Sequence, residues 1–215
     1  MTSKRQLIIT WGLALIPAAI TACLYHKLPD FIPMQWGMNG VVRYDAKVNI
    51  WLTVGMAPLF ALLFPLLRKI DPRSRNYEKF GSAYNSFITV LMLFLMIINF
   101  TVLSESFYPG RLSVGKMIPC LVGGLLMFLG NMMPKVKSNF FIGIKNPWTL
   151  SNPEVWNRSH RLAGYLFFFG GLLIALFSFI LTEFAALVVL LAVVTIITLI
   201  PTVMSYIWYR QYPSD

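Results

Sequence analysis

The chain has 215 residues, of which 57% are hydrophobic and only 12% charged, and it carries a formal net charge of +10. Soluble globular proteins carry roughly 25% charged residues, so this composition excludes an ordinary soluble domain. It also removes the usual nucleic-acid reading of a basic protein, because Lys and Arg collect on the cytoplasmic side of membrane proteins.

The first apolar run, LIITWGLALIPAAITACLY, covers Leu7 to Tyr25 behind Lys4 and Arg5. A basic flank followed by ITAC, Ile20 to Cys23, resembles a signal sequence with a lipoprotein cleavage box. The run is long enough to span, and further spans follow it, which favours a membrane helix. Next comes a connection, His26 to Lys47, where Pro29 and Pro33 argue against an ordinary helix. MNG reads as a turn, with Gly40 free to take a positive φ. Phe31, Met34 and Trp36 supply apolar anchors. This segment is expected to form a compact loop on the mouth of the bundle, or a binding surface for something arriving from outside.

The second run is Ile50 to Leu67, interrupted by Gly55, Pro58 and Pro65. Such breakers are tolerated where neighbouring helices satisfy the freed backbone. A basic connection, Arg68 to Tyr84, contains DPRS as a turn and suits anionic lipid headgroups. The third and fourth runs are Ser86 to Leu103 and Val114 to Met132. Gly123 and Gly124 in the fourth allow close helix approach. The fifth is Leu162 to Leu181, with Gly170 and Gly171, and the sixth is Phe184 to Tyr209, with Pro201 late in it. Asn99 is expected to bridge helices and Asn131 to cap a helix end. No acidic residue lies in mid-span, which counts against ion-coupled transport.

The predicted fold is therefore all-α: a polytopic membrane bundle of six transmembrane helices. Residues 1–85 hold the first two spans with their loops, and 86–215 hold the other four, in one integrated bundle. An even number of spans puts both termini on one side. That side carries 13 of the 18 Lys and Arg residues and the other side 5, so both termini are expected in the cytoplasm. Cys23 and Cys120 show neither metal-ligand spacing nor a disulfide framework. No metal or cofactor is expected.

The connection between the fourth and fifth spans carries the densest chemistry. Pro134 ends the fourth helix. Lys135, Lys137 and Lys145 alternate with apolar residues, so the segment is amphipathic and suits the inner interface. Gly143 and Pro147 oppose a regular helix. SNPE then reads as a helix start, with Ser151 capping and Glu154 completing a capping box. Beyond it Trp156 and His160 share a helix face, and Glu154 and Arg158 share another. Catalysis by His160 would need a base, a nucleophile and an orienting group close together. Glu154 lies on a different face, and His26, the only other histidine, is predicted on the opposite side. No catalytic residues are assigned.

The stretch NMMPKVKSNFFIGIKNPWTLSNPEVWNRSHRLAG, Asn131 to Gly164, resembles the signature of the SdpI family of bacterial immunity proteins. The residues that carry the resemblance include Asn131, Pro134, Lys135, Lys137, Asn139, Gly143, Ile144, Pro147, Trp148, Thr149, Leu150, Trp156, His160, Arg161 and Gly164. LPDFIPMQWGMNG with Lys47 resembles the N-terminal module of the same proteins, although Gln35 stands where that module often has histidine. The resemblance implies a six-span protein of the bacterial plasma membrane. Its implied role is non-enzymatic protection of the producing cell from a secreted, membrane-active peptide toxin. It further implies signalling, by holding a DNA-binding repressor at the membrane. The toxin would meet the outer loop, at Pro29, Asp30, Pro33, Trp36, Gly40 and Lys47. The inner motif, Lys145 included, would support the bundle or dock the repressor. The alternatives are a transporter or channel for a small molecule or lipid, and a membrane enzyme built on His160.

Overall fold

The computed structural model describes residues 4–37 and 42–212. Six helices are long and apolar enough to cross a membrane. They are α1 (Lys4–Leu24), α2 (Ile50–Ile70), α4 (Gly81–Phe107), α5 (Val114–Met132), α7 (Pro153–Ile180) and α8 (Glu183–Gln211). Two short helices lie between spans: α3 (Asn76–Lys79) and α6 (Pro147–Ser151). At 1.5 Å per residue, even the 19-residue α5 is about 28 Å long, close to the hydrocarbon thickness of a bilayer. Prolines sit inside α1, α2, α5 and α8 without ending them, as membrane helices allow. Large apolar side chains such as Ile8, Leu52, Phe179 and Ile180 are exposed on the flanks of the bundle, where lipid would cover them.

The helices form two groups of three. Helices α1, α2 and α4 pack on one another, as do α5, α7 and α8, and α4 meets α5 between the groups. The second group is held by backbone proximity. A Cβ added at Gly123 would lie 2.6 Å from the carbonyl oxygen of Gly171, and one added at Gly171 would lie 2.5 Å from that of Gly123. Only glycine permits that approach, which is how membrane helices gain dispersion contacts without a hydrophobic driving force. The first group packs around small and aromatic residues: Ala14, Ala57 and Ala61 beside Tyr77, Tyr84, Ile88 and Met92.

Gln6 at the start of α1 bonds to the Asn85 carbonyl and to Thr89 near the start of α4. Asn152, preceding α7, donates to the carbonyl of Tyr212 just beyond α8. Both ends of the described chain therefore lie at the end of the bundle that carries the Asn131–Gly164 motif, here called the motif end. The opposite end carries a feature the sequence reading did not contain. Where a compact loop is expected, an antiparallel hairpin pairs β1 (Phe31–Trp36) with β2 (Val42–Ala46). Pro33 is accommodated beside a register irregularity between Pro33 and Gln35, where a missing N–H costs least. Ile32 is fully buried against Leu28, Ile50, Val54, Val102 and Leu103, and the half-buried Met34 and Trp36 pack beside them. Gly40 lies outside the described residues.

Helix α4 is longer than the predicted span and brings a carboxylate into the bundle. Glu105 is buried, and its two oxygens accept the backbone N–H groups of Gly110 and Leu112, each at 2.8 Å. It fixes the turn into α5, in which Gly110 takes φ +77°. Asn99 bridges helices as expected, accepting from Thr21 of α1 at 3.3 Å. Asn131 does not cap: it is exposed, and the 3-10 turn Met133–Lys135 has no side-chain cap.

Candidate functional site

At the motif end, two connections that are distant in sequence fold into one knot. The residues after α2 contribute Asp71, Arg73, Asn76 and Tyr77, and those after α5 contribute Ser138 to His160. Asn139 is fully buried and organises its own loop. Its Oδ1 accepts the N–H groups of Phe141 (2.9 Å) and Ile142 (2.7 Å), and its Nδ2 donates to the carbonyls of Lys137 (2.9 Å) and Ile142 (3.0 Å). One side chain thus satisfies a turn that has no helix or strand to do it.

Asp71 clamps this loop to the other connection. Its Oδ1 accepts from the Arg73 N–H at 2.7 Å, and its Oδ2 accepts from the Tyr77 hydroxyl and the Phe140 N–H, each at 2.9 Å. The Tyr77 hydroxyl also reaches Asn139 Oδ1 at 3.3 Å. Burial first, and then the hydrogen bond to Asp71, push the Tyr77 phenol well above its ordinary range, so it stays neutral and donating. Arg73 bonds to the Ser138 hydroxyl and, at 2.9 Å, to the Leu150 carbonyl. Its guanidinium lies 5.0 Å from the centre of the Phe140 ring. Asn76 adds a bond to the Ser138 carbonyl at 2.7 Å.

His160 sits on the inner wall of the knot, 1% exposed. Its ring stacks on Trp156 with centroids 4.0 Å apart. Nδ1 donates to the Trp156 carbonyl at 2.8 Å and Nε2 accepts the Ile144 N–H at 3.2 Å. That pattern defines one neutral tautomer with both nitrogens engaged. A second proton would face the Ile144 N–H, so the ring is built in as a loop fastener rather than presented as an acid or base. Trp156 fastens the same loop by donating to the Val136 carbonyl at 2.9 Å. Gly143 takes φ +109°, and a Cβ there would run into the His160 ring.

The NPWT stretch is a compact cap. Asn146 Oδ1 accepts from the Thr149 N–H (2.9 Å), and Thr149 Oγ1 accepts from the Asn146 N–H (3.1 Å) and donates to the Ile144 carbonyl (2.8 Å). Pro147 opens α6, where its missing N–H is harmless. Asn146 reaches α8 through the Ser205 hydroxyl at 2.8 Å, and Trp148 lies against Tyr206 with ring centres 5.1 Å apart. The expected cap of α7 by Ser151 is corrected. Asn152 is the cap, its Oδ1 accepting the N–H groups of Glu154 and Val155, while Ser151 closes α6. Proline at 153 already supplies the first helical position, which moves the cap one residue later than the SxxE spacing implies. Replacing Asn152 by Ala is expected to lower stability by about 1–2 kcal/mol, read as thermal unfolding of the detergent-solubilised protein.

The knot therefore gathers Asn139, Gly143, Thr149, Trp156 and His160. It leaves out Asn131, Pro134 and Arg161, which line a separate cleft between α5 and α7. Lys135, Lys137 and Lys145 are exposed, the last with its ammonium on the Phe141 carbonyl at 2.8 Å. Sequence reading missed Asp71, Arg73 and Tyr77. The only available signal was the DPR turn, in which an Asp bonds the N–H two residues on.

At the hairpin end, Lys47 pairs with Asp30 at 3.1 Å, donates to the Leu28 carbonyl at 3.3 Å, and lies 5.7 Å from the centre of the Tyr25 ring. Asp30 and Pro29 are exposed and Pro33 is buried. Trp36 is half-buried under the hairpin, so it anchors the feature rather than crowning it. On the two strands, the exposed large apolar side chains are Phe31 and Tyr44.

Comparison with known proteins gives these features a lineage. Residues 135–205 match the model of the SdpI/YfhL protein family, and residues 12–57 match a domain of unknown function, DUF1648. The two matches take in, respectively, most of the knot with α7 and much of α8, and the hairpin with its flanking helices. The chain is 28% identical over 191 residues to the Immunity protein SdpI of Bacillus subtilis (strain 168), which covers 87% of this chain and 88% of that protein. No solved structure matches it. The chain is thus similar to the SdpI/YfhL family over residues 135–205, and along most of its length to an immunity protein, in keeping with its six long apolar helices.

Proposed function

We propose that the protein is a non-enzymatic immunity protein of a bacterial plasma membrane, protecting the cell from a secreted, membrane-active peptide toxin. The alignment with Immunity protein SdpI along most of the chain carries this reading. The charge count supports an orientation with the motif end and both termini in the cytoplasm. The hairpin then faces outward, where a toxin arrives. Its exposed Phe31 and Tyr44, next to Arg43 and Asp30, offer an amphipathic contact surface on a support anchored by Ile32 and Trp36.

The non-enzymatic reading is supported by His160, whose two nitrogens are both committed to the backbone. At the motif end, the exposed Lys135, Lys137 and Lys145 are the natural contacts for anionic lipid or for a cytoplasmic repressor. The test is toxin challenge of a susceptible host expressing the chain, with labelled toxin to read binding. Phe31→Ser with Tyr44→Ser is expected to weaken toxin binding about tenfold or more, as loss of aromatic anchors does. Lys137→Gln is expected to leave toxin binding intact and reduce repressor capture. Unchanged binding and protection in the double variant would remove the hairpin from the mechanism.

A further inference from the structure

We propose that β2 is a self-pairing edge, through which a second copy of this chain joins the hairpin to build one four-stranded antiparallel sheet. The two strands of the hairpin are not equivalent. β1 lies against α4 with Ile32 and Pro33 buried, and it carries both the proline and the register irregularity. Proline, irregular pairing and cover by another element are the devices that close a sheet edge. β2 has none of them. It reads VRYDA, without proline or glycine, and Arg43, Tyr44 and Ala46 are exposed. Among the described residues β1 is its only strand partner.

The register shows which backbone groups the edge offers. The Lys47 N–H donates to the Asp30 carbonyl at 2.8 Å, so Asp30 and Lys47 form a hydrogen-bonded position, and Ile32 and Asp45 form the next. Alternation along the strand then turns the N–H and C=O groups of Val42, Tyr44 and Ala46 away from β1. An antiparallel copy of β2 centred on Tyr44 places Tyr44 opposite Tyr44, and Val42 opposite Ala46 on either side. These are the outward-turned residues, and their pairing makes about six main-chain hydrogen bonds.

The same register sets Arg43 opposite Asp45 twice. Neither residue is in an ion pair among the described residues, where the pairs are Lys47–Asp30 and Arg158–Glu154. Opposite charges directly across two strands stabilise the pairing. A second copy therefore fits this edge better than an arbitrary extended peptide, because the strand is complementary to itself in backbone, charge and apolar groups. The membrane permits the arrangement. The two-fold axis of such an isologous contact stands perpendicular to the sheet, so both copies keep the same face outward. The inner face, at Ile32, rests on Ile50 at the start of α2 and on Val102 and Leu103 near the end of α4. Two copies inserted in one direction can thus meet edge to edge.

The full chain with Cys23→Ser and Cys120→Ser receives single cysteines, is oxidised with copper phenanthroline in the membranes of the expressing host, and is run on a non-reducing gel. Tyr44→Cys is expected to give a disulfide dimer, because bonded partners lie about 5.5 Å apart. Arg43→Cys alone is expected to give at least fivefold less, since its own copy sits diagonally about 7–8 Å away. Arg43→Cys mixed with Asp45→Cys is expected to cross-link. Phe31→Cys, exposed but one strand in from the edge, is the collision control and is expected to stay monomeric. Association is also read by energy transfer between copies labelled at the C-terminus and diluted in lipid vesicles. Arg43→Asp and Asp45→Arg are each expected to weaken it about tenfold, by setting like charges opposite each other. The double exchange is expected to restore it. Size-exclusion profiles and circular dichroism confirm that each variant is folded. No cross-link at Tyr44→Cys, equal cross-linking at Phe31→Cys, or a folded double exchange that fails to restore association would overturn the proposal.

Discussion

Asn139→Ala is expected to lower the stability of the detergent-solubilised protein by about 3 kcal/mol or more, the largest effect of any single polar truncation at the motif end. The side chain takes part in five hydrogen bonds, four to its own loop and one from Tyr77. Truncation leaves the N–H groups of Phe141 and Ile142 and the carbonyl of Lys137 without that partner in a buried site. Tyr77→Phe removes only the shared hydroxyl and is expected to cost about 1–2 kcal/mol. Asn139→Asp keeps the acceptor but turns a carboxylate oxygen toward the Lys137 and Ile142 carbonyls, so it is not expected to rescue. Denaturant or thermal unfolding in detergent reads all three. An Asn139→Ala protein as stable as the parent would show that the loop is organised by something else.

The raised Tyr77 pKa also sets a pH dependence. A group whose folded pKa lies above its unfolded value contributes stability below the unfolded value, near 10, and that contribution is lost as pH rises beyond it. The knot should therefore hold through neutral pH and loosen only in strong alkali, and Tyr77→Phe should flatten that alkaline loss.

Gly143→Ala carries the second large effect, expected at about 3 kcal/mol. A non-glycine residue at positive φ costs about 1–2 kcal/mol on its own. At Gly143 the new methyl also meets His160, whose displacement breaks the bond to the Ile144 N–H. His160→Ala separates the two costs in a double-mutant cycle. The clash vanishes in that background and the backbone strain remains, so Gly143→Ala should be less costly there. Strict additivity of the two variants would rule out the steric part of this account. The cycle also bears on chemistry. If His160→Ala loses protection only in proportion to folded protein, the ring acts as a fastener.

Much of this molecule was legible in order of physical strength. The six spans follow from apolar runs long enough for a bilayer, and the glycine approach of α5 to α7 follows from small residues where backbones must touch. Trp156 and His160 were readable as neighbours because helix spacing fixes i,i+4 geometry. The hairpin was not, because prolines and polar residues over a short loop give no period to detect, and its strands are held by burial of Ile32 against three helices. The α7 cap was misplaced by one residue, since Ser151 and Asn152 are both competent caps and only the end of α6 decides between them.

By itself the sequence determined the membrane class, the number of spans and the charge asymmetry between the two ends, because each depends on composition along the chain and not on what the chain touches. It also marked the connection between the fourth and fifth spans as the stretch with the densest chemistry. Only the tertiary structure decided what those residues do. Asp71 and Tyr77 lie more than 60 residues from Asn139, and no local pattern announces a partner at that distance. The knot exists because backbone groups of an irregular loop at a membrane boundary must be satisfied somewhere. The side chains that satisfy them arrive from another part of the chain, once the helices have packed.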